Sequence, residues 1–404
     1  MSTAKVATEL QKGAKLSIID LLDSLLEHAH LARASDIHID PTADSVRIRF
    51  RIDGVLQDMH SLPKNIQSEV VTRVKVLSGL RTDEHQAAQD GRFRVQIPSQ
   101  GPVDVRVSIA PTYYGENAVL RLLSDQQHEF SLESLGFTKE NKDKIMQAIK
   151  KPYGMILATG PTGSGKTTTL YTILKTLNTK EVSIITVEDP IEYAIGDINQ
   201  IQVNPRTGLT FASGLRSILR QDPNIIMVGE IRDSETAGLA VNTALTGHLL
   251  LSTLHTNDSA TTLPRLLDLG IESYLISSTV NIAIGQRLAR KVCASCKVAQ
   301  KISDQEIKSL LSVISPKLLS KTRTFYHGKG CETCNGSGYQ GRIGIQEVMV
   351  IDNDIREAAL KRATATDIRQ IALKNGMVPM IEDGFRKALD GVTTIEEVLR
   401  MMYE

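Results

Sequence analysis

Hydrophobic positions change period repeatedly along the chain. Behind a polar tail, Ile18, Ile19, Leu21, Leu22, Leu25, Leu26 and Ala29 recur at helical spacing, and SDIHID then leads into VRIRFRIDGVL, where apolar and polar residues alternate. That switch predicts a helix followed by strands. Residues 66–80 return to the amphipathic helical pattern, and FRVQIP and VDVRVSIAP read as two further strands ending near VLRLL. The first domain is therefore expected to be α+β and to close around Leu123, with the polar stretch SDQQHE as a linker. From Lys151 short apolar runs alternate with helical segments, the mark of a parallel sheet, with strands predicted over 154–159, 183–188, 225–229 and 249–254. Beyond Gln286 two cysteine pairs enclose a charged helical segment, and from about Ile351 the remainder reads as short helices. There is no internal repeat and no low-complexity tract. The expected organisation is a polar tail over 1–13, an α+β domain over 14–123, a linker over 124–130, an α/β core over 131–285, a cysteine arm over 286–346 and a helical region over 347–404.

Composition narrows the class. A chain of 404 residues exceeds what one hydrophobic core usually covers, which agrees with several domains. Its 47 basic residues are balanced by 46 acidic ones, Trp is absent and aromatics make up 4%, so neither a basic face nor stacking aromatics favours a nucleic-acid partner. The apolar runs at 155–158, 225–228 and 249–251 fall far short of the roughly 18 residues a membrane span needs. The N-terminal MSTAKVATELQKGAK has no apolar core of the kind a secretory signal requires. A cytosolic protein is expected, in which paired cysteines bind metal more often than they form disulfides.

Two motifs carry chemistry. The first is GPTGSGKT, with Gly160, Pro161, Thr162, Gly163, Ser164, Gly165, Lys166 and Thr167, and Thr168 next in line. It fits G-x-x-x-x-G-K-[ST] in the right context, an apolar strand before it and the helical TTTLYTILKTL after it. Backbone N–H groups of such a loop cradle phosphates, and the helix N-terminus adds a field favourable to negative charge. ATP is the expected ligand, with Lys166 reaching the β and γ phosphates and Thr167 a ligand of Mg²⁺. The alternative is a chance glycine-rich turn. Hydrolysis also needs a carboxylate beside the γ-phosphate, and IIMVGE places Glu230 at the end of a neighbouring strand. Many phosphate-loop ATPases carry an Asp just before that Glu, but here the position is Gly229. Glu188, ending SIITVE, is the candidate to complete the metal shell; its alternative is a capping carboxylate in a strand-to-loop turn. His248 and His255 flank LLLSTL, and His255 is the candidate phosphate sensor, since an imidazole can bond a γ-phosphate oxygen. For both histidines a purely structural role stays open.

The second motif is the pair Cys293-Ala-Ser-Cys296 and Cys331-Glu-Thr-Cys334, which uses every cysteine of the chain. Four thiolates suit tetrahedral Zn²⁺ with no open coordination position, hence a structural ion. Thioredoxin-like redox chemistry and an absence of metal are the alternatives. Gly336, Gly338, Gly341 and Gly344 suit the tight turns of a metal knuckle.

The ordered run ITVEDPIEY, LRSILRQDPNIIMVGEIRDSETA and TALTGHLLLSTLHTND resembles the acidic, Walker B and histidine boxes of the secretion ATPases that drive type II secretion and type IV pilus assembly. SDIHIDP, VRIRFRIDG, QDGRF and VDVRVSIAPTYYGENAVLRLL resemble the second N-terminal domain of that family, and CETCNGSGYQGRIGIQEVM its tetracysteine arm. The resemblance implies a RecA-like motor domain behind a PAS-like α+β domain, a zinc arm and C-terminal helices. It implies a homohexamer with ATP at the junction between one subunit's N-terminal domain and its neighbour's motor. Arg92 in QDGRF, Arg106 in VDVRV and, third, Arg121 are then candidates to reach the γ-phosphate, with solvated strand arginines as the alternative; Arg216 and Arg220 are candidates to line the pore or interface. An inner-membrane platform protein is the implied partner, with the chain peripheral to the membrane. The first N-terminal domain of longer members, which docks onto an inner-membrane partner, is expected to have no counterpart before Ser35. Retraction ATPases typically lack the tetracysteine arm, so its presence favours assembly or secretion. A DNA-uptake or conjugation-type motor, a nucleic-acid translocase and an inactive scaffold are the competing readings.

Overall fold

The computed structural model describes residues 2–98, 101–124, 130–301 and 324–403. The expected linker falls mostly on residues outside these, and so does the charged helical segment between the cysteine pairs. The chain packs as two units, Met1–His128 and Glu129–Glu404.

In the first unit, helix α1 (Ser2–Gln11) and helix α2 (Ile18–Leu31) precede strands β1 (Ala34–Pro41), β2 (Ser45–Ile52) and β3 (Val55–Pro63). Helix α3 (Gln67–Leu77) and strands β4 (Gln89–Ile97), β5 (Gly101–Thr112) and β6 (Gly115–Ser124) follow. The strands form one antiparallel sheet in the order β3-β2-β1-β6-β5-β4. Alternation decides its faces: Ile37, Ile39, Val46, Ile48, Phe50, Val105 and Leu120 turn inward onto Leu21, Leu22 and Leu25 of α2 and Val70 and Val74 of α3. The other face carries charge. The tail read over 1–13 is largely helical: Val6 is buried in the core and Lys5 Nζ pairs with Glu27 Oε2 of α2 at 2.7 Å. With Val6 and Leu10 as its main apolar anchors, α1 gives a weak periodic signal, and packing against α2 orders it.

In the second unit, α4 (Lys139–Ala148) leads into β7 (Gly154–Thr159), α5 (Lys166–Leu177), β8 (Ile184–Glu188), β9 (Asn199–Gln202) and α6 (Phe211–Ile218). Then come β10 (Ile225–Val228), α7 (Ser234–Leu245), β11 (Leu249–Leu254), α8 (Thr262–Asp268), α9 (Ser273–Thr279) and the long β12 (Val280–Val292). A small two-stranded antiparallel sheet, β13 (Lys297–Lys301) with β14 (Thr324–Gly328), comes before β15 (Tyr339–Val350), and helices α10 (Asn353–Leu360), α11 (Ala365–Lys374), α12 (Met380–Leu389) and α13 (Ile395–Tyr403) follow.

The main sheet runs β15-β12-β7-β11-β10-β8-β9, parallel throughout except for β15. Its central strands are buried on both faces, which is why they read as mainly apolar runs rather than alternating ones. Met155 and Leu157 of β7 face α6 to α11, whereas Ile156 and Ala158 face α4 and α5. This is the parallel-rich α/β core expected from the sequence. The boundaries read at 286 and 346 fall inside β12 and β15, so the cysteine arm grows out of the main sheet. Phe325 of β14 packs with Phe385, Ala388 and Val398 and ties the arm to α12 and α13. Gly344, read as a knuckle turn, lies within β15.

Candidate functional site

The segment 160–165 joins β7 to the N-terminus of α5, the geometry of a phosphate cradle. Gly165 is the N-cap of α5, at φ +86. Gly160 has φ +142, and a Cβ there would come within 2.3 Å of the Gln286 carbonyl and 2.7 Å of Ser164 Oγ. No side chain fits at that position, and the loop is free to approach a ligand with its backbone. Lys166 is buried and donates to the carbonyls of Gly160 at 2.8 Å and Pro161 at 3.0 Å. Burial pushes its ammonium below the ordinary lysine value while the Glu230 carboxylate pulls the other way, a charge held ready for an anion. Among the described residues, the buried hydroxyls of Ser164 and Thr159 have no hydrogen-bond partner. An unused buried hydroxyl in the loop and a cation folded over its own backbone fit a polyphosphate. Thr167 follows Lys166 in the first turn of α5, where its hydroxyl can reach Mg²⁺ beside such a ligand.

Glu230 stands just past the end of β10 and is 8% exposed. Its Oε2 takes both Arg232 Nε at 2.6 Å and His255 Nε2 at 2.9 Å. The structure thus brings Glu230 and His255 together, because β10 and β11 are parallel neighbours and each residue lies beyond the C-terminal end of its strand. His248 precedes β11, about 20 Å away along the strand, and its Nδ1 lies 3.2 Å from the Thr243 carbonyl. Glu188 ends β8 and is 2% exposed. It accepts from Tyr171 Oη of α5, from Thr186 Oγ1 at 2.5 Å and from Gln200 Nε2 at 3.1 Å. Burial first, then the neighbouring Glu188 charge and hydrogen bond, push the Tyr171 phenol well above its usual range, so it stays a donor. In this geometry the Glu188 carboxylate is tied into the protein through both oxygens.

In the first unit Arg92, Arg106 and Arg121 stand directly opposite one another on β4, β5 and β6, hence on one face. Arg121 is committed to the buried Asp36, with Nε–Oδ1 at 2.9 Å. In the second unit Arg216 pairs with Glu235 at 2.7 Å, and Arg220 donates to the Arg216 carbonyl at 3.0 Å.

The cysteines form a single cluster. All four are free thiols, and their sulfur atoms lie within 4.8 Å of one another. The separations Cys293–Cys331, Cys296–Cys334 and Cys331–Cys334 are 3.8, 3.9 and 3.7 Å. A zinc ion bound at about 2.3 Å by four sulfurs requires an edge of about 3.8 Å. Backbone N–H groups of Cys331 and Gly338 each donate to Cys334 Sγ at 3.2 Å. Against the desolvation of the site, these donors hold the Cys334 thiol down to about 6. The donor set and its spacing fit zinc, and the meeting of both pairs in one tetrahedron is not what a redox C-x-x-C needs.

Sequence reasoning missed Arg232, Tyr171, Gln200 and Gln286. Arg232 was signalled by its place two residues after Glu230. Gln286 interrupts an apolar strand and bonds the phosphate loop from the side. Tyr171 and Gln200 reach Glu188 only through the tertiary fold.

The model of the type II/IV secretion system protein family matches residues 11–400. The type IV pilus assembly ATPase PilB of Thermus thermophilus is 47% identical over 94% of this chain, which spans 42% of that relative's length. The type II secretion system protein E of Xanthomonas campestris pv. campestris is 44% identical over 99% of the chain and 70% of its own length. The crystal structure of the pilus retraction motor PilT with bound ADP superposes with a TM-score of 0.63 at 25% identity, covering 94% of this chain and 96% of that one.

Proposed function

The chain belongs to the type II/IV secretion system protein family, and from that premise we propose that it is a hexameric ATPase whose hydrolysis cycle powers pilus assembly or protein secretion. The observation that carries the reading is the phosphate loop with Glu230 and His255 set beyond the ends of neighbouring strands of the same sheet. In this reading the loop N–H groups, Lys166 and Thr167 bind the triphosphate and its Mg²⁺. Glu230 takes the proton of the attacking water, and His255 senses the γ-phosphate while orienting Glu230. Glu188 contributes to the magnesium shell through water, which its ties to Tyr171, Thr186 and Gln200 would orient. Arg92 and Arg106, from the first unit of a neighbouring subunit, offset charge that develops on the γ-phosphate. Four thiolates hold Zn²⁺ as a structural ion. The motion of the units acts on an inner-membrane platform protein, to which the chain is peripheral; among the described residues no helix is long and apolar enough to cross a membrane. Names of relatives from both systems support pilus assembly and secretion alike.

ATP turnover by the purified chain, followed together with its mass in solution, tests the reading. Turnover should require Mg²⁺, be lost in Lys166→Ala and rise as hexamers form. Steeply salt-dependent DNA binding that stimulates hydrolysis would support the translocase reading instead.

A further inference from the structure

Gln286 lies in the middle of β12 and is 2% exposed. Its Nε2 donates to the Ser164 carbonyl at 2.8 Å, and its Oε1 accepts from Thr169 Oγ1 at 2.7 Å. One buried amide therefore bridges the phosphate loop and the first turns of α5. The same residue meets both ends of the loop: its carbonyl closes on Gly160, and its Nε2 lies 2.8 Å from where a Cβ on Gly165 would stand. Ser164 and Gly165 share one planar trans peptide, in which the C=O and the N–H point in opposite directions. Drawing the Ser164 carbonyl toward β12 thus turns the Gly165 N–H away from it.

We propose that Gln286 is a positioning residue for nucleotide binding, which holds the Ser164–Gly165 peptide so that its N–H, and not its carbonyl, faces the phosphates. Without that anchor Gly165 allows the peptide to rotate, since glycine populates both halves of φ space. A rotated peptide presents an oxygen to an anion. The inference rests on reading residues 160–167 as the nucleotide cradle. It requires no direct contact between Gln286 and the ligand, and it does not depend on the metal arm.

The test is the affinity of the full chain for a fluorescent ADP analogue, with KM and kcat for ATP measured alongside. Gln286→Leu removes both bonds and should weaken nucleotide binding about tenfold. KM should rise with it, and kcat at saturation should change less. Thr169→Val should weaken binding in the same direction, whereas Thr169→Ser, which keeps the hydroxyl, should bind as the parent does. Wild-type affinity in a folded Gln286→Leu variant overturns the proposal. If that variant does not fold, equal affinities for Thr169→Val and Thr169→Ser overturn it. A parent chain that binds no nucleotide, indistinguishable from Lys166→Ala, would overturn the reading of the loop instead.

Discussion

Glu230→Gln separates binding from chemistry because of how Glu230 is held. Both of its partners, Arg232 Nε at 2.6 Å and His255 Nε2 at 2.9 Å, converge on Oε2. A glutamine can place its single amide oxygen there and keep both contacts, so the fold around β10 has no reason to change. The Arg232 side chain is 65% exposed, and its pairing contributes only ~0.2–1 kcal/mol. Melting should therefore shift by less than about 4 °C. What disappears is Oε1 as a proton acceptor, for an amide nitrogen now occupies its place. General-base assistance is worth about 10²- to 10⁴-fold, or roughly 3–5 kcal/mol of barrier. Nucleotide affinity should hold or tighten, since a negative charge near the γ-phosphate has gone. Single-turnover hydrolysis and equilibrium binding on the same preparation measure both quantities. Turnover within about tenfold of the parent, with binding intact, would refute Glu230 as the base.

Two further perturbations follow from other parts of the fold. Zinc should be found at one ion per chain by a colorimetric chelator assay, and its removal should open the segments 293–301 and 324–334 to proteolysis. Nucleotide affinity should then stay within about twofold, because Gln286 lies about 23 Å along β12 from Cys293. In the first unit His28 Nδ1 lies 3.0 Å from His60 Nε2, and burial first, then His60, lowers the His28 pKa from 6.5 to about 4. A depressed histidine means that the unfolded chain binds more protons, so its contribution is complete above pH 6.5 and declines toward pH 4, by up to ~3 kcal/mol. The pH dependence of the first unit's unfolding, followed by hydrogen exchange in the full chain, should flatten between those limits in His28→Leu.

The strands most legible in sequence were those buried on both faces. The runs predicted at 154–159 and 249–254 coincide with β7 and β11, because each is short and mainly apolar, no charged residue interrupts it and a glycine or turn stands at its start. The alternating strands of the first unit were equally visible, but the β1–β6 pairing that closes their sheet joins segments far apart in the chain, and no local pattern encodes it. Helix α1 was missed since its periodic stripe is too sparse to register until α2 provides a surface. The loop, Glu230 and the cysteines announced themselves by residue type and spacing. Gln286 did not: a polar residue at the end of an apolar stretch reads as a boundary, and its meaning emerges only when β12 is laid beside β7. Glu188 is a candidate from sequence, yet Tyr171 and Gln200, which donate to it, reach it only in the folded chain.

Strand β12 supports the loop over 160–165 through Gln286 and runs directly into Cys293. Side chains alternate along a strand, so a slip of one residue against β7 or β15 would swing Gln286 to the opposite face and redirect the chain entering the cysteine cluster in the same step. Both sites therefore inherit a single alignment error. An insertion or deletion between 280 and 292 should be more damaging than any substitution there. In a mutational scan of that stretch, length changes should abolish nucleotide and metal binding together, while exchanges of side chains separate them.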